Sequence, residues 1–280
     1  MYISDEAMER LLKEDVPYID LTTLVLGIGA RTGKIRFFSR EAAVLCGTEE
    51  VLKIFNKLNV TVTSYLPSGT LLKKEETVFE AAGRAEDLHM GWKVSLNILE
   101  YCSGIATRTR MLVDAAKKIN PKISVITTRK MFPGTKDLAI KAILNGGGFP
   151  HRLGLSETIL IFKQHLNFMG GLDGFLKNIG EVKSRACEKK IIVEVENLED
   201  AISLCKEGID GLQFDKVPPA ELKEHVHSIR SRYPEVVLLA AGGINQNNVE
   251  DYAKTGVDAI VTTSVYFGKP VDMGASITGV

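Results

Sequence analysis

Between residues 123 and 263 the chain alternates six short β-branched runs with helix-like segments. The runs are I-S-V-I-T-T from Ile123, T-I-L-I-F from Thr158, I-I-V-E-V-E from Ile191, G-L-Q-F from Gly211, V-V-L-L-A-A from Val236 and D-A-I-V-T-T from Asp258. Strand then helix, repeated, implies parallel strands with helices packed outside. Six such units predict an α/β barrel that is open and incomplete beside the eight-unit form. In barrels of this kind chemistry gathers at the C-terminal ends of the strands.

That rule collects scattered polar residues at one rim. The first strand ends in Thr127, Thr128, Arg129 and Lys130, and the G-G-G-F-P-H-R stretch that follows one short helix adds His151 and Arg152. The chain has 35 Lys and Arg against 35 Asp and Glu and no net charge, so it exerts no global pull on anions and is no nucleic-acid binder by charge. A local concentration of donors beside turn glycines therefore predicts a pocket for a compact, multiply charged anion. The alternative for Arg129 and Lys130 alone is a solvated surface pair.

The third run carries Glu194 and Glu196, two residues apart and so on one side of a strand. If that side is the interior, the two carboxylates need a cation or hydroxyl ligands between them; if it faces the helices they are structural. Asp215, at the end of the next strand, reaches toward the same ion. The fifth run leads into Ala241, Gly242 and Gly243, and the sixth into Thr262, Thr263 and Ser264. The last two units of a barrel commonly hold a phosphate on backbone N–H groups, although Gly242 and Gly243 also serve as plain turn residues.

Before residue 105 the character differs. A helix is predicted from Asp5 to Glu14, β-like runs around Ile35–Leu45 and Val60–Leu66, and a turn at 67–69; a long helical pattern then runs from about His89 to Lys118. Glycines 27, 29 and 33 miss the spacing of a dinucleotide loop. The charged N-terminus is neither a signal nor a transit sequence. No apolar run approaches the roughly 20 residues that span a bilayer, so the expectation is a cytoplasmic protein with no membrane partner. Cys46, Cys102, Cys187 and Cys205 show no C-x-x-C spacing and read as reduced core or surface residues.

The ordered set L-N-I-L-E-Y-C-S-G-I-A-T-R-T-R (96–110), T-T-R-K-M-F-P-G, G-G-G-F-P-H-R-L-G-L, V-E-V-E-N, F-D-K, A-G-G-I and T-G-V-D resembles the quinolinate phosphoribosyltransferase family, or nicotinate-nucleotide pyrophosphorylases. Its flavour is closest to the ModD branch, associated with molybdenum transport. The resemblance implies an N-terminal α/β sandwich domain (1–105), an open six-unit α/β barrel (106–268) and a C-terminal tail (269–280) returning toward the N-terminal domain. It implies a homodimer, or a higher even-numbered oligomer, whose site takes a residue from the partner. It also implies a reaction in which a heteroaromatic acid displaces pyrophosphate from Mg²⁺-bound phosphoribosyl pyrophosphate. By position, Lys130 meets the pyrophosphate, Glu196 and Asp215 hold the ribose and Mg²⁺, and Ala241–Gly243 with Thr262–Ser264 take the 5-phosphate. Arg129, His151 and Arg152 face the acceptor's carboxylate.

The departures fall on the acceptor side. The partner-subunit arginine is Lys93 here, which keeps charge but loses the planar fork. The lysine of L-I-K-D-N-H is Phe162, and Lys163, one residue on, points to the opposite strand face. The acid before T-R-K is Thr127, the acid before the phosphate turn is Leu239, and the turn's serine is Ala241. A pocket short of cations points to an acceptor other than quinolinate. Two other classes stay open: a non-catalytic phospho-ligand or oxyanion binder serving molybdenum transport, which needs no paired carboxylates, and an aldolase or isomerase, for which Lys163 is the strand-borne candidate.

Overall fold

The computed structural model describes residues 1–280. In its first part the elements are α1 (Asp5–Asp15), α2 (Leu21–Val25), β1 (Thr32–Ser39), β2 (Ala43–Val44), α3 (Thr48–Lys57), β3 (Thr61–Tyr65), β4 (Leu71–Leu72), β5 (Thr77–Arg84) and α4 (Ala85–Ile119). There follow β6 (Ser124–Thr127), α5 (Lys136–Asn145), β7 (Phe149–Pro150), β8 (Ile159–Ile161), α6 (Lys163–Leu166) and α7 (Gly171–Arg185). The remainder is β9 (Ile191–Val195), α8 (Leu198–Lys206), β10 (Gly211–Asp215), α9 (Pro219–Arg230), β11 (Val237–Ala241), α10 (Val249–Ala253), β12 (Ala259–Thr262) and β13 (Met273–Gly279).

Two compact units form, one from 1–110, 132–147 and 266–280, the other from 111–131 and 148–265. The first holds an antiparallel sheet in the order β13-β1-β5-β3. The tail closes it, because β13 pairs along the whole of β1 from Gly33↔Gly279 to Ser39↔Met273. Alternation in β1 turns Ile35 and Phe37 inward, and Phe37, Phe55 and Phe79 meet with ring centroids 5.3 to 6.1 Å apart. Each such buried ring stabilises the fold by roughly 1.5–3 kcal/mol.

The linear division at residue 105 assigns 132–147 to the barrel, whereas this segment packs in the first unit. The cause is α5: Ala142 joins the first core, and the Lys141 ammonium donates to Glu49 at 2.6 Å and Glu50 at 2.5 Å. Lys141 and Glu50 are almost fully buried, and a buried charge is tolerated only when paired in this way. Ser68 completes the network, donating to Glu49 through both its N–H and its hydroxyl.

The second unit holds a seven-stranded sheet in the order β7-β6-β12-β11-β10-β9-β8. All six neighbouring pairs within it are parallel. The two edge strands, β7 and β8, do not pair, so the barrel is open, as the six-unit reading expects. The seventh strand is the two-residue Phe149–Pro150, too short for a pattern of alternation to reveal it. Strands β10 and β12 are buried on nearly every residue, because helices cover one face and the barrel interior the other. That interior is a small apolar cluster of Leu160, Ile192, Leu239, Ala241, Ala259 and Val261, with Phe162 against it.

All four cysteines are free, Cys187 exposed and the others buried. No helix is long and apolar enough to cross a membrane.

Candidate active site

A cavity of about 770 Å³ opens at the C-terminal ends of the parallel strands, and its wall is made of residues on or just beyond all seven of them. On the β6 side stand Thr128, Arg129 and Lys130, with His151 and Arg152 arriving from the end of β7. β7 is held by the His151 amide, which donates to the Thr127 carbonyl at 2.9 Å. Thr128 Oγ1 and Thr263 Oγ1 lie 3.0 Å apart, tying the β6 and β12 ends together.

Positive charge gathers on this side of the cavity. Burial, then the neighbouring Arg152, push the His151 pKa below its ordinary 6.5, which favours the neutral ring. Both its nitrogens are buried without a partner in the chain. Burial and then the charge of Arg129 likewise lower the pKa of Arg152. The Arg152 guanidinium sits 5.9 Å from the centroid of the Phe162 ring, and Phe162 in turn stacks on His165 at 5.7 Å.

The opposite wall carries the acids. Glu194 accepts a 2.8 Å bond from Gln213 Nε2. Its pKa is raised, chiefly by burial, and further by Asp215 and Glu196, against the lowering effect of the Gln213 bond and Lys130. Asp215 ends β10 and lines the cavity beside Lys216, whose Nζ lies 3.7 Å from Asp215 Oδ2. Glu196 falls elsewhere than the sequence pattern suggests. β9 ends at Val195, so Glu196 lies beyond the ladder, exposed and off the cavity wall, yet its charge is felt at Glu194.

The phosphate-type cup is on β11 and β12. Gly242 and Gly243 have φ of 90° and 74°, the left-handed region that favours glycine. A Cβ on Gly242 would stand 2.5 Å from Lys216 Cγ and 2.7 Å from Asp215 Oδ1, whereas one on Gly243 meets nothing within 4 Å. Neither amide donates to a backbone carbonyl, which leaves both for a ligand. Thr262 organises the other lip: its hydroxyl donates to the Ile244 carbonyl at 2.6 Å and accepts from the Ser264 amide at 3.0 Å. Ala241, Thr263 and Ser264 also line the cavity.

The cavity thus unites Arg129, Lys130, His151, Arg152, Phe162, Asp215, Ala241, Gly242, Gly243, Thr262, Thr263 and Ser264. Lys93 is on α4 in the first unit, its ammonium 4.3 Å from the Trp92 ring centroid. Lys163 is the first residue of α6, exposed and off the wall, which removes the one strand-borne lysine that an aldolase reading requires. Sequence reasoning missed Gln213, although its place two residues before Asp215 puts both on one strand face. Gln164, Lys216 and Asn245 come from loops and helix starts, where no periodicity points inward.

These features define a class: an open parallel barrel whose rim joins a glycine and hydroxyl anion cup, carboxylates and a cationic acid clamp. The chain belongs to the quinolinate phosphoribosyl transferase family, whose C-terminal domain matches residues 105–275 and whose N-terminal domain matches 20–103. It is 33% identical over 273 residues to ModD of Pasteurella multocida, a pyrophosphorylase by name, covering 98% of this chain and 97% of the relative. Identity to human nicotinate-nucleotide pyrophosphorylase (carboxylating) is 29%, over 90% of this chain and 84% of the relative. The solved nicotinate-nucleotide pyrophosphorylase of Ehrlichia chaffeensis superposes with a TM-score of 0.91 at 26% identity, covering 99% of this chain and 100% of that one.

Proposed function

We propose that the protein transfers a phosphoribosyl group from 5-phosphoribosyl-1-pyrophosphate to the ring nitrogen of a heteroaromatic carboxylic acid other than quinolinate, releasing pyrophosphate. The observation that carries this reading is the meeting, on one cavity wall, of the Gly242–Gly243 cup, Asp215 and the Arg129, Lys130, His151 and Arg152 cluster.

The chemistry needs those parts. As the C1–oxygen bond breaks, positive charge builds on the ribose and negative charge on pyrophosphate, and preorganised charges of opposite sign stabilise both. Lys130 meets the leaving pyrophosphate. Asp215 and Glu194 stand near the developing ribosyl cation and its hydroxyls. The amides of Gly242 and Gly243, with Ser264, hold the 5-phosphate and fix the sugar for in-line attack. Arg129 and Arg152 orient the acceptor through its carboxylate, and neutral His151 donates a hydrogen bond without adding charge.

The donor set fits Mg²⁺, a hard cation that takes one or two carboxylates and completes its shell with water and substrate oxygens. Asp215 and Glu194, the two carboxylates on the cavity wall, would hold it in place of the pair with Glu196 that the sequence suggests, and it would neutralise the pyrophosphate. We further propose a cytoplasmic, even-numbered homo-oligomer in which Lys93 serves the partner's site.

Pyrophosphate release from phosphoribosyl pyrophosphate and Mg²⁺, assayed across heteroaromatic acids, tests the reading. Turnover with at least one acid is expected. Binding of phosphoribosyl pyrophosphate without turnover by any acid would favour a non-catalytic phospho-ligand binder instead, and efficient turnover of quinolinate would refute the altered acceptor.

A further inference from the structure

The acid clamp in the cavity is one-sided. Its guanidiniums come from the ends of β6 and β7, where burial and then Arg129 lower the pKa of Arg152 and Arg152 lies over Phe162; the lysine across the cavity, Lys216 at the end of β10, lies 3.7 Å from Asp215. Across Phe162 the register runs onward without a cation. β8 and β9 pair as Ile161↔Val193, which brings Phe162 beside Glu194; Glu194 pairs with Gln213 and Gln213 with Leu239. One interior row therefore reads Phe162, Glu194, Gln213, Leu239: an aromatic ring, a carboxyl, a carboxamide and an aliphatic chain.

The polar members of that row face each other and leave little for an anion. One N–H of the Gln213 carboxamide is given to Glu194 at 2.8 Å, and its oxygen is buried and unpartnered. The wall thus presents chiefly oxygen acceptors and hydrocarbon, with one amide N–H over. Lys163 is exposed and off the cavity wall, and Lys130, whose field reaches Glu194, belongs to the clamp at the end of β6. A carboxylate set against this row would lose its water and meet chiefly like-signed oxygens, with at most one neutral N–H in return.

Resting on the transferase reading above, we propose that the acceptor carries a single carboxylate, that its edge facing Phe162 and Glu194 is uncharged, and that transfer proceeds without loss of carbon dioxide. The ring nitrogen's lone pair forms the bond to C1 of the ribose, and the C1–oxygen bond breaks with its electron pair leaving on pyrophosphate. The ring becomes a pyridinium-type cation that keeps its one carboxylate. No carbon–carbon bond breaks and no proton moves. Phe162 supplies the flat apolar surface on which the uncharged edge rests.

The test uses the full-length chain with phosphoribosyl pyrophosphate and Mg²⁺. Pyridine-2,3-dicarboxylate is compared with pyridine-2-carboxylate, pyridine-3-carboxylate and their amino and hydroxy derivatives, following pyrophosphate and carbon dioxide together. At least one monocarboxylate should exceed the dicarboxylate by about tenfold or more in kcat/KM, with no carbon dioxide released. Preference for the dicarboxylate, with one carbon dioxide per pyrophosphate, overturns this inference and leaves the transferase reading standing; failure of every acid overturns both. Phe162→Lys should shift the dicarboxylate-to-monocarboxylate ratio of kcat/KM upward by about tenfold. An unchanged ratio overturns the role given to this wall.

Discussion

Two buried polar clusters, one in each compact unit, are arranged in opposite ways. In the first, Lys141 is closed in by Glu49 and Glu50, and Glu49 by Ser68. In the second, His151 and Gln213 keep buried atoms without partners, and Arg129 and Arg152 both line the cavity wall, the charge of Arg129 lowering the pKa of Arg152. A satisfied network contributes to holding a fold in one arrangement; an unsatisfied one stores the cost of desolvation until a ligand relieves it. The contrast separates groups that hold the chain from groups that receive a molecule.

Breaking the satisfied side should give the largest effect on stability. Lys141→Ala leaves two carboxylates together in the interior and should cost about 3–5 kcal/mol, read as a lower denaturant midpoint. The reciprocal break is Lys130→Ala. It should lower kcat/KM for pyrophosphate release by about 10²–10³-fold while the melting temperature stays nearly unchanged, because an exposed strand-end lysine supports no core. A large loss of stability in that variant would erase the distinction between the units.

The two cup glycines allow a finer comparison. Gly242→Ala drives a methyl into Lys216 and Asp215 and should raise KM for phosphoribosyl pyrophosphate by about tenfold or more. Gly243→Ala meets no neighbour and should show only the backbone strain of a positive φ, about 1 kcal/mol, in thermal melts. Equal KM effects would mean that the cup is not where the phosphate binds.

The smallest effect is in acid. Burial tends to raise the Glu49 pKa, but hydrogen bonds from Lys141 and Ser68 prevail and hold it down to about 2 from 4.5. A depressed carboxylate contributes stability that is fully present above pH 4.5 and is lost as pH falls through about 2. Because 38% of the side chain is exposed, solvent screening reduces the gain to about 1–2 kcal/mol. Glu49→Gln should therefore flatten the fall in stability below pH 4.5, followed by denaturant titration across that range.

Much of the barrel is legible in the chain because a parallel strand buried on both faces must be mainly apolar, and the six runs from Ile123 to Thr263 are so apart from a few polar residues such as Glu194 and Gln213, which line the cavity. The strand-end residues follow, since Arg129, Asp215, Gly242 and Thr263 need only the strand's direction to be placed on a rim. β5 and β13 are less legible. Thr77–Arg84 and Met273–Gly279 carry glycines and alanines that suit close packing in the antiparallel sheet but make no strong alternation. Glu196 shows the same limit from the other side: the V-E-V-E pattern gives both glutamates one face, but β9 stops at Val195.

The sequence by itself determined the succession of parallel strands, the polar rim at their ends and the family to which the chain belongs, because these depend on local periodicity and on motif order. Only the tertiary structure decided that α5 packs with Glu49 and Glu50, that Phe162 stands beside Glu194 and Gln213, and that the acid clamp is one-sided. Those facts depend on which strand lies next to which and in what register. Register is set by long-range packing of whole strands, and no short stretch of the chain contains it.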